Sequence, residues 1–325
     1  MRVAEAWSQG RVIAIRNVTP TIRLFDIVPD AERPTSYPLG GHLNVGVLIG
    51  VKSDTRSYSL IGADGAYRIA VKLDRDGRGG SSYMWSLELG ARLAISNPRS
   101  NFPLDYGHAS YVLIAGGIGI TPIYGIARAL ARHGAPVRLA YAARTPDELA
   151  FAADLRAVLG KRMRTFISAQ NQRLDIVGLL GEVAPGGLAM ICGPLRMLDE
   201  ARRAWKALGR PAADLRFETF GSSGARPPEP FRIRVPDRSG EIVVAENQSM
   251  LDALKEAGLE VISDCRRGEC GVCAINIVAV DGTIDHRDVF FSESQKRDNA
   301  KICACVSRAI GTVTLDPLFR PDRRA

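Results

Sequence analysis

The sequence predicts a multidomain protein: an antiparallel β-barrel first, an α/β domain on a parallel sheet second, and a small α+β domain at the C-terminus. Three observations carry this. The rhythm of apolar residues changes twice along the chain, a Gly/Ser/Pro stretch separates the last part, and five of the six cysteines fall within about forty residues near the C-terminus. With 325 residues, 46% of them apolar, the chain is long enough to bury two or three cores, which excludes a disordered or fibrous protein.

From Val3 to Pro103 short β-like runs recur at Val12–Ile15, Ile22–Val28, Leu43–Ile49, Tyr67–Leu73 and Leu93–Ser96, separated by Gly, Pro and Asp clusters. That is the spacing of an antiparallel barrel or sandwich. From Tyr106 to Phe220 an apolar strand is repeatedly followed by an amphipathic helix: Tyr111–Ala115 and Thr121–Arg132, Val137–Ala142 and Pro146–Leu159, Leu188–Cys192 and Pro194–Leu208. In the last helix Leu198, Ala201, Trp205 and Leu208 share a face, with Pro194 near its start and Gly209 past its end. Such alternation implies βαβ units and a parallel sheet.

Gly221–Pro230 reads as a linker. Beyond it Phe231–Val235 and Glu241–Ala245 form a hairpin pattern, Ser249 can cap a short helix that Gly258 stops, and a strand at Ala274–Val280 leads into a turn at Asp281-Gly282. The expected boundaries are a barrel over 1–104, a nucleotide domain over 105–222, a linker over 223–230 and a final domain over 231–325.

Within the final part, Cys265-x4-Cys270-x2-Cys273 matches the spacing of a plant-type [2Fe–2S] site, which takes three thiolates from one tight loop and a fourth from a distant segment. Gly268 and Gly271 stand where the backbone must bend around a cluster. Zinc would more naturally use paired C-x-x-C hooks, and this loop holds one. Cys303 and Cys305 both lie downstream, and in an alternating strand both would point the same way, so periodicity leaves the fourth ligand open.

Ala115-Gly-Gly-Ile-Gly-Ile-Thr-Pro122 follows an apolar strand and opens a helix. Gly116, Gly117 and Gly119 permit close backbone approach, Thr121 and Pro122 begin the helix, and its free N–H groups suit a pyrophosphate. Cys192-Gly193-Pro194 ends a later strand and faces the same carboxyl edge. Around the adenosine ribose the chain offers Arg144 and Ser168–Arg173 with no acid before Asp175, so NADH and NADPH both stay open. In the barrel, Arg56-Ser57-Tyr58-Ser59 ends a strand and Gly77-Arg78-Gly79-Gly80-Ser81-Ser82 begins a helix-like stretch, placing a cation and hydroxyls where a phosphate could bind.

The formal charge is +8, yet residues 229–325 hold 14 Lys+Arg against 16 Asp+Glu, so the positive balance lies upstream. It is scattered without a long basic block, which argues against nucleic acid and for an anionic cofactor or an acidic protein partner. The longest uncharged run, Ala109–Ala127, contains four glycines and Pro122 and reads as strand, turn and helix rather than as a membrane span. No secretory signal is evident at the N-terminus, so a soluble, cytoplasmic protein is expected. The four histidines, His42, His108, His133 and His286, read as surface or structural.

Taken in order, R-S-Y-S, G-R-G-G-S, G-G-I-G-I-T-P, C-G-P, F-E-T-F-G, the cysteine loop, D-H-R-D at 285–288 and C-V-S-R-A at 305–309 resemble the phthalate dioxygenase reductase family. The resemblance covers nearly the whole chain and implies a flavin-binding barrel, an NAD(P)H-binding domain and a C-terminal β-grasp ferredoxin domain. It implies that Arg56, Ser57, Tyr58 and Ser59 contact the flavin and that Arg78, Gly79, Gly80, Ser81 and Ser82 hold its phosphate. Phe220 looks like the aromatic residue that lies near the flavin, and Cys305 like the fourth cluster ligand, leaving Cys303 as a small apolar neighbour. The usual flavin of the family is FMN, with FAD in some relatives. The chain departs from NADH-preferring members at Ala169 and Gln170, where those often carry acids.

The activity so implied is electron transfer from NAD(P)H to a Rieske-type oxygenase by a monomer that contacts neither nucleic acid nor membrane. A nicotinamide yields two electrons and a [2Fe–2S] cluster accepts one, so a flavin must stand between them. Ser59 and Cys192 are candidates to position the rings. The competing readings are a free-standing flavin or ferric reductase and a non-enzymatic redox sensor, the latter having no need of nicotinamide and flavin signatures together.

Overall fold

A computed structural model describes residues 6–30, 34, 36–220, 228–236 and 238–316. The chain divides into two compact units, one formed by residues up to Gly193 with Glu200–Glu218, the other by Pro194–Asp199 and the chain from Thr219 onward.

The first unit opens with β1 (Trp7–Thr19), β2 (Ile22–Pro29), β3 (Gly41–Ile49), β4 (Lys52–Ala63), β5 (Tyr67–Lys72) and β6 (Arg92–Ser96). They pair in the order β4-β5-β2-β1-β6-β3, and β3 with β4 closes the ring, so the six-stranded antiparallel barrel has no free edge. The two-residue β7 (Arg99–Ser100) adds to β3. Val12, Phe25, Ile27, Leu43, Val45, Leu60, Ile69 and Ile95 fill the barrel, and Met84 of α1 (Gly80–Ser86) joins that core. One expectation is corrected here. The segment Arg56–Ser59 lies inside β4 rather than at a strand end, because the register with β3 runs unbroken from Ile49↔Lys52 to His42↔Ser59.

The same unit continues through β8 (Tyr111–Gly116), α2 (Ile120–Arg132), β9 (Val137–Ala143), α3 (Ala152–Leu159), β10 (Met163–Ile167), α4 (Ile176–Gly181), β11 (Leu188–Cys192), the part of α5 (Leu195–Ala207) from Glu200 onward, and β12 (Leu215–Glu218). Its five strands are parallel in the order β10-β9-β8-β11-β12, and every residue of the central β8 is buried. A strand flanked by pairs on both sides and covered on both faces is apolar throughout, as Tyr111–Ala115 is. The uncharged run at 109–127 divides into β8, a 3₁₀ turn at Gly117–Gly119 and α2, and no helix among the described residues is long and apolar enough to cross a membrane.

Two helices depart from expectation. The stretch at 146–159 splits into a 3₁₀ turn at Pro146–Glu148 and α3, because Phe151 takes a left-handed φ of 59° that interrupts helical hydrogen bonding. In α5, Leu198, Ala201 and Trp205 are buried, but Leu208 lies past the helix end and is 43% exposed.

The second unit holds β13 (Phe231–Arg234), β14 (Ile242–Val244), α6 (Met250–Glu256), β15 (Ala274–Asp285), α7 (Glu293–Asp298), β16 (Lys301–Cys303) and β17 (Arg308–Asp316). The sheet order is β14-β13-β17-β15-β16, with β13 parallel to β17 and the other pairs antiparallel. Phe231, Ile233, Leu254, Ile275, Ile302 and Val313 form its core. Ser249 caps α6 as expected, its Oγ accepting from the Asp252 amide at 3.1 Å. The turn expected at Asp281-Gly282 is absent. Gly282 and Gly311 face each other across β15 and β17, and a Cβ on either would overlap the opposing backbone, so the strand passes through a position only glycine can fill. Of the expected linker, residues 223–227 lie outside the described residues, and Pro228–Pro230 are exposed irregular chain.

In the first unit the barrel and the parallel sheet are held together by backbone and side chain. α2 packs on β4, Lys72 pairs with Glu148 at 3.3 Å, and Arg216 donates to the Pro103 carbonyl at 2.8 Å. At the head of α2, a Cβ on Gly119 would overlap the Cys192 carbonyl, so the helix can sit against the end of β11 only with glycine there. Gly119→Ala is therefore expected to destabilise the chain by about 1–3 kcal/mol, the usual cost of overpacking, read as a lower urea midpoint.

Candidate functional site

Three groups of residues nominated by the sequence occupy definite places. At the carboxyl edge of the parallel sheet, Gly116 ends β8, Gly117 has a left-handed φ of 54°, and Gly119 precedes α2. No side chain caps the start of α2 and no acid lies in its first turn, so its amides and partial positive charge are open to an anion. Thr121 and Pro122 lie buried in the first turn of α2, and the Thr121 hydroxyl donates back to the Ile118 carbonyl at 3.0 Å, tying the helix start to the turn before it. Cys192 is fully buried at the end of β11, Gly193 follows it at the same edge, and Pro194 is the next residue of the chain. Arg144 follows β9, exposed, and its carbonyl accepts from the Ala169 amide at 3.0 Å, so the ends of β9 and β10 are tied together.

On the barrel, Ser57 Oγ donates to Asn44 Oδ1 across to β3, Arg56 pairs with Asp54, and the Arg56 Nη2 donates to the Arg78 carbonyl at 3.3 Å. A Cβ on Gly80 would overlap the Arg56 side chain, and Gly79 has a left-handed φ of 80°, so glycine at both positions lets the loop close over Arg56. Ser81 Oγ is engaged with the backbone of Asp74, whereas Ser82 is exposed. Tyr58 is half-buried, and desolvation pushes its phenol well above the ordinary range, which keeps it neutral. Ser59 is 4% exposed, and its Oγ has no hydrogen-bond partner among the described residues. A buried hydroxyl without a partner costs about 1–3 kcal/mol, which makes it the natural place for a ligand atom.

In the second unit the cysteines fall into two pairs. Cys273 and Cys305 are buried with their sulfurs 3.1 Å apart, and Cys270 interacts through its sulfur with Cys265, both half-buried. The amides of Arg267 and Glu269 donate to Cys265 Sγ, each at 3.4 Å. The strand expected through Cys303 and Cys305 ends at Cys303, and Cys305 lies in the turn that follows. The neighbouring thiols of Cys303 and Cys305 hold the Cys273 thiol well below its ordinary range, and Cys273 in turn pushes those two up.

A model of the 2Fe-2S iron-sulfur cluster binding domain matches residues 234–309, and one of the oxidoreductase NAD-binding domain matches residues 113–176. The chain is 35% identical over 310 residues to the heme-dependent oxidative N-demethylase beta subunit of Ectopseudomonas mendocina (strain ymp), covering 94% of this chain and 97% of that one. It is 34% identical over 315 residues to the 3-chlorobenzoate-3,4-dioxygenase reductase subunit of Comamonas testosteroni, covering 94% and 96%. Its fold matches the solved structure of phthalate dioxygenase reductase with a TM-score of 0.74 and 30% identity, covering 96% of this chain and 98% of that one. The chain belongs to the phthalate dioxygenase reductase family. It is a flavin and [2Fe–2S] oxidoreductase that uses NAD(P)H.

Within this reductase the residues present suit those groups. The unpartnered Ser59 hydroxyl and the glycine-closed loop over Arg56 suit a flavin, and four thiols in two pairs suit the cluster. The residues that brace the cysteine loop carry no ligand or nucleotide signature of their own in the sequence. Asp288 is fully buried; its carboxylate accepts from the Phe291 amide at 2.9 Å and from Ser307 Oγ at 3.1 Å. The Val289 amide donates to the Gly268 carbonyl at 3.0 Å, and a Cβ on Gly268 would come within 2.9 Å of Asp288 Cα. Arg308 donates to the carbonyls of Gln248, Ala245 and Glu229 while its guanidinium lies 5.2 Å from the Phe231 ring. The signal for these was present in the D-H-R-D and C-V-S-R-A motifs, which contain Asp288, Ser307 and Arg308.

Ser59→Ala removes the unpartnered hydroxyl, so the flavin-free protein is expected to gain up to about 1 kcal/mol in urea unfolding. In the holoprotein, stopped-flow reduction of the flavin by NADH should slow about tenfold, as for a lost hydrogen bond of about 1.4 kcal/mol.

Proposed function

We propose that this reductase takes a hydride from NADH or NADPH by way of FMN and passes single electrons from its [2Fe–2S] cluster to a Rieske-type oxygenase, acting as a cytoplasmic monomer. Bound flavin supplies the conversion of a two-electron intake into one-electron output. The observation that carries the reading is the presence, in one chain, of an uncapped α2 at the edge of a nucleotide-type sheet and of four paired thiols.

The protein groups bind and orient. The amides opening α2, with Gly116, Gly117 and Gly119, receive the pyrophosphate of the nucleotide, and Arg144, exposed just after β9, is the group offered to the adenosine ribose. Arg56, Tyr58 and Ser59 on β4 hold the flavin, and packing of α2 on β4 keeps these two binding segments in one rigid piece. Cys265, Cys270, Cys273 and Cys305 hold the cluster, with the Arg267 and Glu269 amides directed at Cys265. Hydride transfer requires no general acid or base, which agrees with the absence of a histidine from these segments.

A second acceptor class is a haem protein, favoured by the 35% identity to a subunit named for heme-dependent oxidative N-demethylation. The test mixes the NADH-reduced holoprotein anaerobically with a Rieske oxygenase or with a haem oxygenase component and follows each acceptor's own absorption band. Reduction of the Rieske centre is expected, and Cys270→Ser should abolish it while reduction of ferricyanide by NADH persists. A variant that still reduces the oxygenase at the wild-type rate would take the cluster off the path. NADH oxidation that neither acceptor accelerates would point to a free-standing reductase.

A further inference from the structure

In a dinucleotide-binding sheet, the residue that follows the strand next to the glycine turn meets the 2′ position of the adenosine ribose. An acid there accepts from the free 2′-hydroxyl of NADH, whereas an arginine accommodates the 2′-phosphate of NADPH. In this chain β8 leads into the glycine turn, and β9 lies beside it in parallel register with Gly116 opposite Ala142. β9 ends at Ala143, and the next residue is Arg144. β10 lies beside β9 with Ala143 opposite Ile167, so Ser168 is the matching residue at the neighbouring strand end.

Backbone hydrogen bonds fix these two ends together. The Ala169 amide donates to the Arg144 carbonyl at 3.0 Å, and Ser168–Gln170 form a 3₁₀ turn. Asn171 then reverses the chain with a left-handed φ of 59°, and the Gln172 amide returns to the Ile167 carbonyl at 3.1 Å. Arg173 follows directly. Arg144, Ser168 and Arg173 are all exposed, and among the described residues none of their side chains has a hydrogen-bond or ion-pair partner. The nearest acids along the chain are largely occupied. Glu148 pairs with Lys72 at 3.3 Å and accepts from the Arg144 amide at 3.3 Å, and Asp175 caps α4 by accepting from the Gly178 amide at 2.9 Å. Asp147 is exposed on the turn beyond Pro146.

We propose that Arg144 and Ser168 select NADPH over NADH by receiving the 2′-phosphate of its adenosine ribose. The proposal rests on the reading of this carboxyl edge as the nucleotide site and narrows its donor to one. A 2′-phosphate is close to dianionic at neutral pH, so a guanidinium can meet two of its oxygens at once while a serine hydroxyl donates to a third. NADH offers a neutral hydroxyl at that place, and Arg144 would gain little from it. Arg173, on the same corner, adds positive potential that favours the more highly charged nucleotide.

The test titrates the full-length holoprotein calorimetrically with 2′,5′-ADP and with 5′-ADP, two probes that differ only in the 2′-phosphate and support no turnover. The first is expected to bind about tenfold more tightly at low salt, an advantage that shrinks as salt is raised. Arg144→Ala, with its flavin content intact, should reduce the ratio of the two dissociation constants about tenfold, and Arg144→Lys should keep part of it. Ser168→Asp sets a carboxylate against the phosphate and should carry the ratio toward 5′-ADP. The kcat/KM of NADPH over that of NADH, measured by ferricyanide reduction, should move in the same sense in each variant. Wild-type protein that binds both probes equally, or 5′-ADP more tightly, overturns the proposal. So does an Arg144→Ala protein that weakens both probes alike, which would make Arg144 a contact of the pyrophosphate. Wild-type protein that binds neither probe would instead sink the nucleotide-site reading beneath it.

Discussion

The approach of Cys273 and Cys305, whose sulfurs lie 3.1 Å apart in a buried position, is the constraint around which the second unit is organised. These residues are 32 positions apart in the chain, and sulfur is brought to sulfur only because β15 and β16 pair in a fixed register directly between them. The strands in turn depend on a core of Ile275, Ile302 and Val313, and α6 covers that core with Leu251 and Leu254. The chemistry of the loop is thus a product of packing some distance away. A change in that core would reach the thiols through register.

The first unit solves a different problem by comparable means. Its open helix start and its unpartnered hydroxyl lie on separate layers, and a small set of contacts joins those layers: α2 on β4, Lys72 with Glu148, Arg216 with the Pro103 carbonyl. Glycine at 119 and at 125 lets α2 come close, at the first to the Cys192 carbonyl and at the second to the Tyr37 hydroxyl, which a Cβ would meet at 2.6 Å. Where a helix must pack this closely, missing side chains matter as much as those present.

What could be read from the sequence was what is local. The cysteine spacing, the glycines before α2 and the alternation of strand and helix each lie within a few residues of one another, and their physical meaning survives without the rest of the fold. What escaped was set by partners far along the chain. β4 extends through Arg56–Ser59 because β3 pairs with it along its length, and the break at Phe151 gives that ring a place 5.2 Å from Tyr124. Gly282 looked like a turn because glycine after aspartate usually is one, and only the facing Gly311 keeps it in a strand. The roles of Asp288 and Ser307 were hidden for the same reason, since an aspartate reads as solvated until a buried hydroxyl and amide are seen to meet it.

The bracing behind the cysteine loop has a dynamic consequence. Asp288 ties the chain at Phe291 and Ser307 to a single carboxylate, and the Val289 amide fastens Gly268 to the same segment. A loop held from behind in this way has little room to relax when the charge it encloses changes by one unit. Its nuclear reorganisation would therefore be small, and exchange between centres would face a low barrier in both directions. The same rigidity that fixes the sulfurs would then set how fast charge can pass.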